Sequence, residues 1–402
     1  MLPMLILMMV GVLISSWIAS GTIPALIYYG VKILSPQYFL FTACLVCCIA
    51  SLSTGSSWTT GATFGVAFMG IGMGLNINPA ITAGAVVSGA ILGDKMSPLS
   101  DSTNLAAGVA EADLFDHIKS MMYSTGPAVV IALIIYFFLG FWVSSSGDVD
   151  QATINTLTNG ISSSFFTNPI ITMIPPVLVV FLAVKRVGGL AVMIIGSILG
   201  VIIAMIFQGY SLGEMMGFLN YGFVSKTGIA DVDKLLSRGG LQTMMWTVSL
   251  GFIALSMGGL MEKTKMLEVL LSKIKGLVKT MPGLITTHVA ASIVTNIFSA
   301  SQYMAIIIPG RMLVPIYKEK KLLPQVCSRV CEDSGTVTSP LVPWGLCGVY
   351  FTGVLGVATI ECLPYVFLAY TAPLMTLVLA YTNKFMFKEG DITSVKTYNS
   401  DE

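Results

Sequence analysis

The chain has 402 residues, 55% of them hydrophobic and only 10% charged. A soluble domain carries about 25% charged residues, so this composition excludes a soluble globular protein and points to a polytopic membrane protein whose surroundings are the lipid bilayer. Twenty-one Lys and Arg face 20 Asp and Glu, which leaves no basic excess to attract nucleic acid. Met1 leads straight into apolar sequence without a basic stretch, so no cleavable signal is expected. The 40 glycines and 17 prolines suit close helix packing and interrupted membrane helices.

A first span runs from about Leu5 to Tyr29, weakened in its second half by Gly21 and Pro24. A short apolar arm, Phe39 to Ser51, leads to a hydroxyl-rich tip, Ser53-Thr54-Gly55-Ser56-Ser57-Trp58-Thr59-Thr60, and then to a second arm, Phe64 to Leu75. Two short arms around a polar tip predict a re-entrant hairpin, or two spans that meet near the site. The apolar run Pro79 to Leu92 then meets Gly93-Asp94-Lys95-Met96-Ser97-Pro98-Leu99-Ser100-Asp101-Ser102-Thr103-Asn104. Pro98 cannot donate a backbone hydrogen bond and disfavours helix at Ser97, so the span breaks there and resumes near Ser102. Broken backbone at membrane depth is tolerated only where protein buries it or where it lines a wet cavity.

After a charged connection, Glu111 to Lys119, which includes a solvated His117, Met121 to Val143 forms a clean span. Ser144 to Asn168 reads as a polar loop with Asp148 and Asp150 and no Lys or Arg. Pro169 to Val184 and Gly189 to Phe207 are spans joined by Lys185-Arg186, and Gln208 to Gly240 is a mixed loop. Leu241 to Met261 spans again. Glu262 to Thr280 places Leu267, Leu270, Leu271, Ile274 and Leu277 among lysines, the pattern of a helix lying on the membrane surface. Leu284 to Ala300 and Met304 to Tyr317 form a second pair of arms around Thr295, Asn296, Ser299, Ser301 and Gln302. Lys318 to Glu332 reads as a charged connection. Asp333-Ser334-Gly335-Thr336-Val337-Thr338-Ser339-Pro340-Leu341 opens another interrupted span that ends near Gly356, Leu363 to Thr382 is the last span, and a mobile polar tail starts at Lys384.

Ser-Pro-Leu occurs at 97–99 and again at 339–341, an offset of 242 (340 − 98). That shift carries 5–29 onto 247–271, 39–75 onto 281–317 and 121–143 onto 363–385, so each lands on a span of the same kind. Lys185-Arg186, the lysines of 263–279, Lys318, Lys320, Lys321, Arg329 and the tail mark cytoplasmic sides, and the Lys-free 144–168 stretch marks the outside. Lys32 is the one misfit. Twelve passes then put both termini in the cytoplasm, and the two broken helices run in opposite directions. The expected fold is therefore all-α and polytopic, with inverted-topology repeats, re-entrant hairpins and discontinuous membrane helices. Residues 1–143 and 241–383 form the repeats, 144–240 connects them, and 384–402 is a cytoplasmic tail. In secondary transporters, substrate and ions bind at the midplane between such broken helices.

The residues of the breaks suit a cation. Asp94, Asp101, Asp333 and Glu332 supply carboxylates, with Asp94 and Asp101 the primary Na+ ligands. Lys95 either neutralises a carboxylate or competes with the ion. Thr54, Ser56, Ser57, Ser97, Asn104, Asn296, Ser299, Thr336 and Ser339 offer neutral oxygens, although a hydroxyl on a helix more often bonds back to its own backbone. A carboxylate in a poorly solvated cavity favours its protonated form, so sodium and the proton compete for one group. His288, inside a span, is a candidate pH sensor whose simpler reading is a packing histidine. Arg311 is a candidate for holding a substrate carboxylate, with snorkelling to the surface as the simpler reading. The seven cysteines do not look like a disulfide framework. Cys327 and Cys331 are four apart on a helix, but no His lies near them in sequence to complete a zinc set, so no cofactor is expected beyond the transported Na+ and H+.

Together the 53–60 tip, the 93–104 break, Pro309-Gly310-Arg311-Met312 and Glu332 to Trp344 resemble the NhaC-type Na+/H+ antiporter family over nearly the whole chain. The resemblance implies membership of the broader ion transporter superfamily, with paired hairpins and a broken helix in each half. It implies exchange of sodium for protons in a prokaryotic cell membrane, hence a multi-pass plasma-membrane protein and not an enzyme. Members usually carry further apolar sequence ahead of the first span seen here. The same family includes exchangers of small carboxylates, such as malate with protons for lactate with sodium, and that is the alternative function. A cation channel and an intramembrane hydrolase are more remote readings. Whether the chain forms a homo-oligomer is left open by the sequence.

Overall fold

The structure is a computed structural model that describes residues 2–145, 151–185, 187–266, 269, 278 and 280–388. The described residues form helices joined by short turns, with one isolated bridge between Leu322 and Lys388. The first set is α1 (Leu2–Ala19), α2 (Thr22–Ile33), α3 (Pro36–Thr54), α4 (Ser57–Thr60), α5 (Val66–Gly74), α6 (Pro79–Met96), α7 (Asp101–Val109) and α8 (Leu114–Ser145). A middle set follows: α9 (Gln151–Ser164), α10 (Pro169–Thr172), α11 (Ile174–Val184), α12 (Gly189–Phe207), α13 (Leu212–Tyr221) and α14 (Ala230–Leu236). The last set is α15 (Met245–Lys263), α16 (Met281–Ser299), α17 (Gln302–Glu319), α18 (Pro324–Cys331), α19 (Leu346–Leu355), α20 (Thr359–Cys362) and α21 (Phe367–Thr382). By length and composition, five described helices can cross a membrane: Pro36–Thr54, Leu114–Val143, Gly189–Phe207, Gln242–Met261 and Met281–Ser299. Three bent pairs raise that to eight. One of them is α1 with α2, turned by 70° at Gly21, whose φ of 80° is a conformation that glycine adopts without strain.

The first and last sets repeat one plan. A shift of 245 (281 − 36) carries both ends of α3 onto those of α16, and the same shift carries Pro79, which opens α6, onto Pro324, which opens α18 (324 − 79). The left-handed residue that ends α3, Gly55, falls on the left-handed Ala300 that ends α16. The repeat register is thus three residues longer than the Ser-Pro-Leu match suggests. The structural counterpart of Pro98 is Pro343, in the break before α19, whereas Ser339-Pro340-Leu341 forms a 3-10 turn just ahead of that break.

Helix α6 is the axis of the first set: every residue from Ile81 to Lys95 is buried. Its sequence has no polar face, as expected of a helix surrounded by others. It lies against α3 nearly backbone to backbone. Ser51 on α3 donates its hydroxyl to the Gly89 carbonyl at 3.0 Å and accepts from the Gly93 N–H at 3.0 Å. A Cβ on Gly93 would stand 2.1 Å from the Ser51 carbonyl oxygen.

Several expectations change. The polar stretch 144–168 contains helix α9, and the supposed connection 318–332 contains α18, all of whose residues are buried. Arg329, expected at the cytoplasmic surface, is fully buried and donates to the Phe385 carbonyl at 3.1 Å. His117, expected in solvent, is fully buried with Nδ1 2.8 Å from Ser328 Oγ. In both cases partners distant in sequence replace water. The start of the tail is docked: the Leu323 N–H donates to the Phe387 carbonyl at 2.9 Å, and Met386 is buried. Asp148, Asp150, Arg186, most of the amphipathic 262–280 stretch and the tail beyond Lys388 lie outside the described residues.

The α3–α6 contact is tested by Gly93→Ala. The added methyl meets backbone that cannot move aside, and a cost of about 1–3 kcal/mol is expected, read as a lower melting temperature in detergent. Gly108→Ala on α7, where nothing lies within 4 Å of the added atom, is the control and is expected within about 1 kcal/mol of the parent.

Candidate functional site

The α6–α7 break is built by hydroxyls. Pro98 stops the helix, and the carbonyls left without partners are capped from α7. Ser102 and Thr103 each donate a hydroxyl to the Asp94 carbonyl at 2.7 Å. Asn104 donates its amide to the Pro98 carbonyl at 3.0 Å and the Ser100 carbonyl at 2.7 Å. The turn therefore has a fixed shape at the point where it carries charge.

Asp94 is buried, and its carboxylate faces the tip of the hairpin between α3 and α4. The Ser57 N–H donates to Asp94 Oδ1 at 2.7 Å, and the Ser57 hydroxyl donates to Oδ2. Asp94 thus accepts the first N–H of the helical arm 57–74, the end at which a helix favours negative charge. It also lines an open cavity of about 800 Å³, together with Ser56, Trp58, Asp101, Gln302 and Tyr303. Asp101 is exposed and borders the same cavity. Among the described lining residues there is no Lys or Arg.

Lys95, the next residue, turns the other way. Its ammonium pairs with Asp333 Oδ1, and both side chains are fully buried. The second Asp333 oxygen, Oδ2, accepts from the Thr376 hydroxyl on α21. Lys95 thus neutralises a carboxylate of the last set of helices, not its own neighbour. One residue before Asp333, Glu332 is fully buried, with the Thr336 hydroxyl one turn on beside its carboxylate. Residues 332–336 form a π-helical turn, a local departure from α geometry frequent at functional sites. Asn296 on α16 donates to the Gly335 carbonyl at 2.6 Å and to Thr338 Oγ1 at 2.9 Å, which sets its amide against this turn. Asn296 Oδ1 is buried with no hydrogen-bond partner among the described residues. Buried oxygens of a carboxylate, an amide and a hydroxyl are the donor chemistry that a hard cation takes.

The other expected residues are occupied locally. Thr54 Oγ1 lies 3.4 Å from the Ser51 and Ser56 carbonyls, and Ser56 Oγ caps the Thr59 N–H at 3.2 Å. Ser97 Oγ accepts from the Leu99 N–H, and Ser299 Oγ from the Ser301 N–H, both at 3.3 Å. Ser339 is buried, and its carbonyl accepts from the Val342 N–H. Arg311 is exposed and is not among the described cavity-lining residues. His288 is fully buried, with Nδ1 2.9 Å from the Tyr317 hydroxyl and Nε2 3.5 Å from Cys331 Sγ. Sequence reasoning missed Thr376, and also Tyr350, which stacks on Trp58 with centroids 4.4 Å apart and donates to its carbonyl at 2.5 Å. Each is one polar atom in an apolar helix.

A family model described as the Na+/H+ antiporter family matches residues 1–103 and 89–384. The chain is 39% identical over 394 residues to the Na+/H+ antiporter NhaC of Alkalihalophilus pseudofirmus, covering 98% of this chain and 84% of that one. It is 36% identical to the malate-2H+/Na+-lactate antiporter of Bacillus subtilis, covering 95% and 81%. It is 35% identical to the arginine/ornithine antiporter ArcD of Halobacterium salinarum, covering 95% and 79%.

The buried pair is tested by a double-mutant cycle. Lys95→Met alone leaves Asp333 charged and unpaired in a dry interior, with an expected loss of about 3–5 kcal/mol. Lys95→Met with Asp333→Leu removes both charges and is expected to recover most of that loss. Thermal unfolding of the purified single and double variants reads both effects.

Proposed function

Because the chain belongs to the Na+/H+ antiporter family, we propose that it is a secondary transporter exchanging Na+ for H+ across the cell membrane by alternating access, with Asp94 as the group that the two ions share. The observation that carries this is the position of Asp94. It is a buried carboxylate at the wall of an open cavity, fixed by two donors of Ser57 between a hairpin tip and a broken helix. Bare charge is costly there, so the carboxylate is satisfied by a proton or by Na+ but not by both at once. A loaded site is neutral and can reorient; an empty one carries charge and is held back, which couples the two fluxes. Asp101, exposed at the same cavity, draws cations toward it. Lys95 and Asp333 act as the fixed counter-charges that tie the two broken helices together. Glu332, with Asn296 and Thr336, offers a second station deeper in the protein. The distribution of exposed lysines supports both termini on the cytoplasmic side.

A second reading rests on cavity size. About 800 Å³ is far more than a bare ion needs and falls within the range of small-molecule sites. An organic substrate exchanged with Na+ or H+ would fit by volume. The two aspartates and the absence of basic residues among the described lining favour a cation over a carboxylate.

Proteoliposomes decide between them. An imposed Na+ gradient is expected to move protons with no organic solute present, and Asp94→Asn is expected to reduce that flux to background. Proton movement that requires malate, lactate or arginine selects the second reading, and unchanged exchange in Asp94→Asn overturns the role of this residue. Ser57→Ala removes a hydrogen bond to an ionised group, about 1.5–3 kcal/mol, so it is expected to keep exchange but to need roughly tenfold more Na+ or above.

A further inference from the structure

His288, on α16, reaches the two thiols of α18. Cys327 and Cys331 are four residues apart, which sets them on one face of the helix. The imidazole nitrogen and both sulfurs lie within 4.8 Å of one another, and all three residues are fully buried. The edge from His288 Nε2 to Cys331 Sγ is 3.5 Å. Tetrahedral zinc, with Zn–S near 2.3 Å and Zn–N near 2.0 Å, spaces such a pair by about 3.5 Å. The other ring nitrogen, Nδ1, is held 2.9 Å from the Tyr317 hydroxyl, the outer-shell contact that orients a ligating histidine. Gly310 leaves room beside the sulfur: a Cβ there would come within 3.1 Å of Cys331 Sγ.

We infer that His288, Cys327 and Cys331 form a binding site for one soft divalent cation of the zinc class, separate from the sites of the transported ions. Ligand chemistry argues for this choice. Two sulfurs and an imidazole select zinc-like metals and disfavour Na+, which takes oxygen. Charge narrows it further. The metal displaces the two thiol protons to water, and two thiolates with one divalent cation are neutral, whereas a monovalent soft ion would leave a net negative charge in a dry interior. Three protein ligands leave one coordination position open. The bound metal would fasten α16 to α18 next to Glu332, and hence pin an arm of the second hairpin to the second broken helix.

The test uses the purified full chain in detergent, stripped by chelator and equilibrated slowly with Co2+ so that a closed site can load. Expected is a sulfur-to-cobalt charge-transfer band that saturates at one equivalent and is displaced by Zn2+, with one Zn2+ per chain retained after gel filtration. Cys327→Ser, Cys331→Ser and His288→Gln are each expected to lose that equivalent. Cys44→Ser and Cys47→Ser, in the other buried thiol group on α3, are expected to keep it. Tyr317→Phe retains all three ligands and is expected to bind about tenfold more weakly, which covers the case in which a ligand variant fails to fold. Absence of the band in the parent, or a metal content that Cys327→Ser and Cys331→Ser leave intact, overturns the inference. The readout is metal binding, so it stands or falls apart from the exchange reaction.

Discussion

One buried ion pair connects the two broken helices. Lys95 closes α6, Asp333 lies in the π-helical turn that continues α18, and neither side chain reaches solvent. Charges buried this deeply persist only in good geometry, and breaking one leaves the other stranded. The pair therefore fixes the relative position of the two helix breaks. It also fixes what Asp94 does. Adjacent residues on a helix point about 100° apart, so the same turn that sends Lys95 to Asp333 presents Asp94 to Ser57 and the cavity. A carboxylate with hydrogen-bond donors but no dedicated cation beside it is one that a mobile cation can complete.

The repeat arranges this without copying the charges. Ser51 on α3 and Asn296 on α16 occupy equivalent places, since 51 + 245 is 296, and each fastens its helix to the broken one beside it. Yet the counterpart of Asp94 is Ser339, and that of Lys95 is Pro340. The scaffold is duplicated, and the acid that faces the cavity is not. Trp58 and Tyr350, stacked and hydrogen-bonded, join the tip of the first hairpin to α19, the helix that follows the second break.

The helix breaks were legible because Pro98 acts locally: it removes a donor whatever surrounds it. Asp94 was legible because it interrupts apolar sequence, where charge is rare, and Glu332 and Asp333 because they stand at the head of an interrupted span. Pairing was not legible. Nothing near Lys95 in sequence points to Asp333, and nothing near Cys327 points to His288, because both contacts exist only when separate helices pack. Arg329 and His117 misled for the same reason. Basic residues in a polar run usually meet water, but here the Phe385 carbonyl and Ser328 take its place. The register of the repeat misled by three residues because a shared tripeptide weighs more to the eye than a shared helix end. Helix α9 is mostly hydroxyl and amide residues, and only a few apolar ones, Leu157 and Ile161 among them, turn inward, so the stretch read as polar.

The central claim is that Na+ and the proton exclude each other at Asp94. It is tested most directly by adding Na+ to the purified protein in a weakly buffered solution and following the release of protons. Expected is release that saturates with Na+ in the parent and is lost in Asp94→Asn, while Asp101→Asn still releases protons. Equal release from the parent and from Asp94→Asn would contradict it.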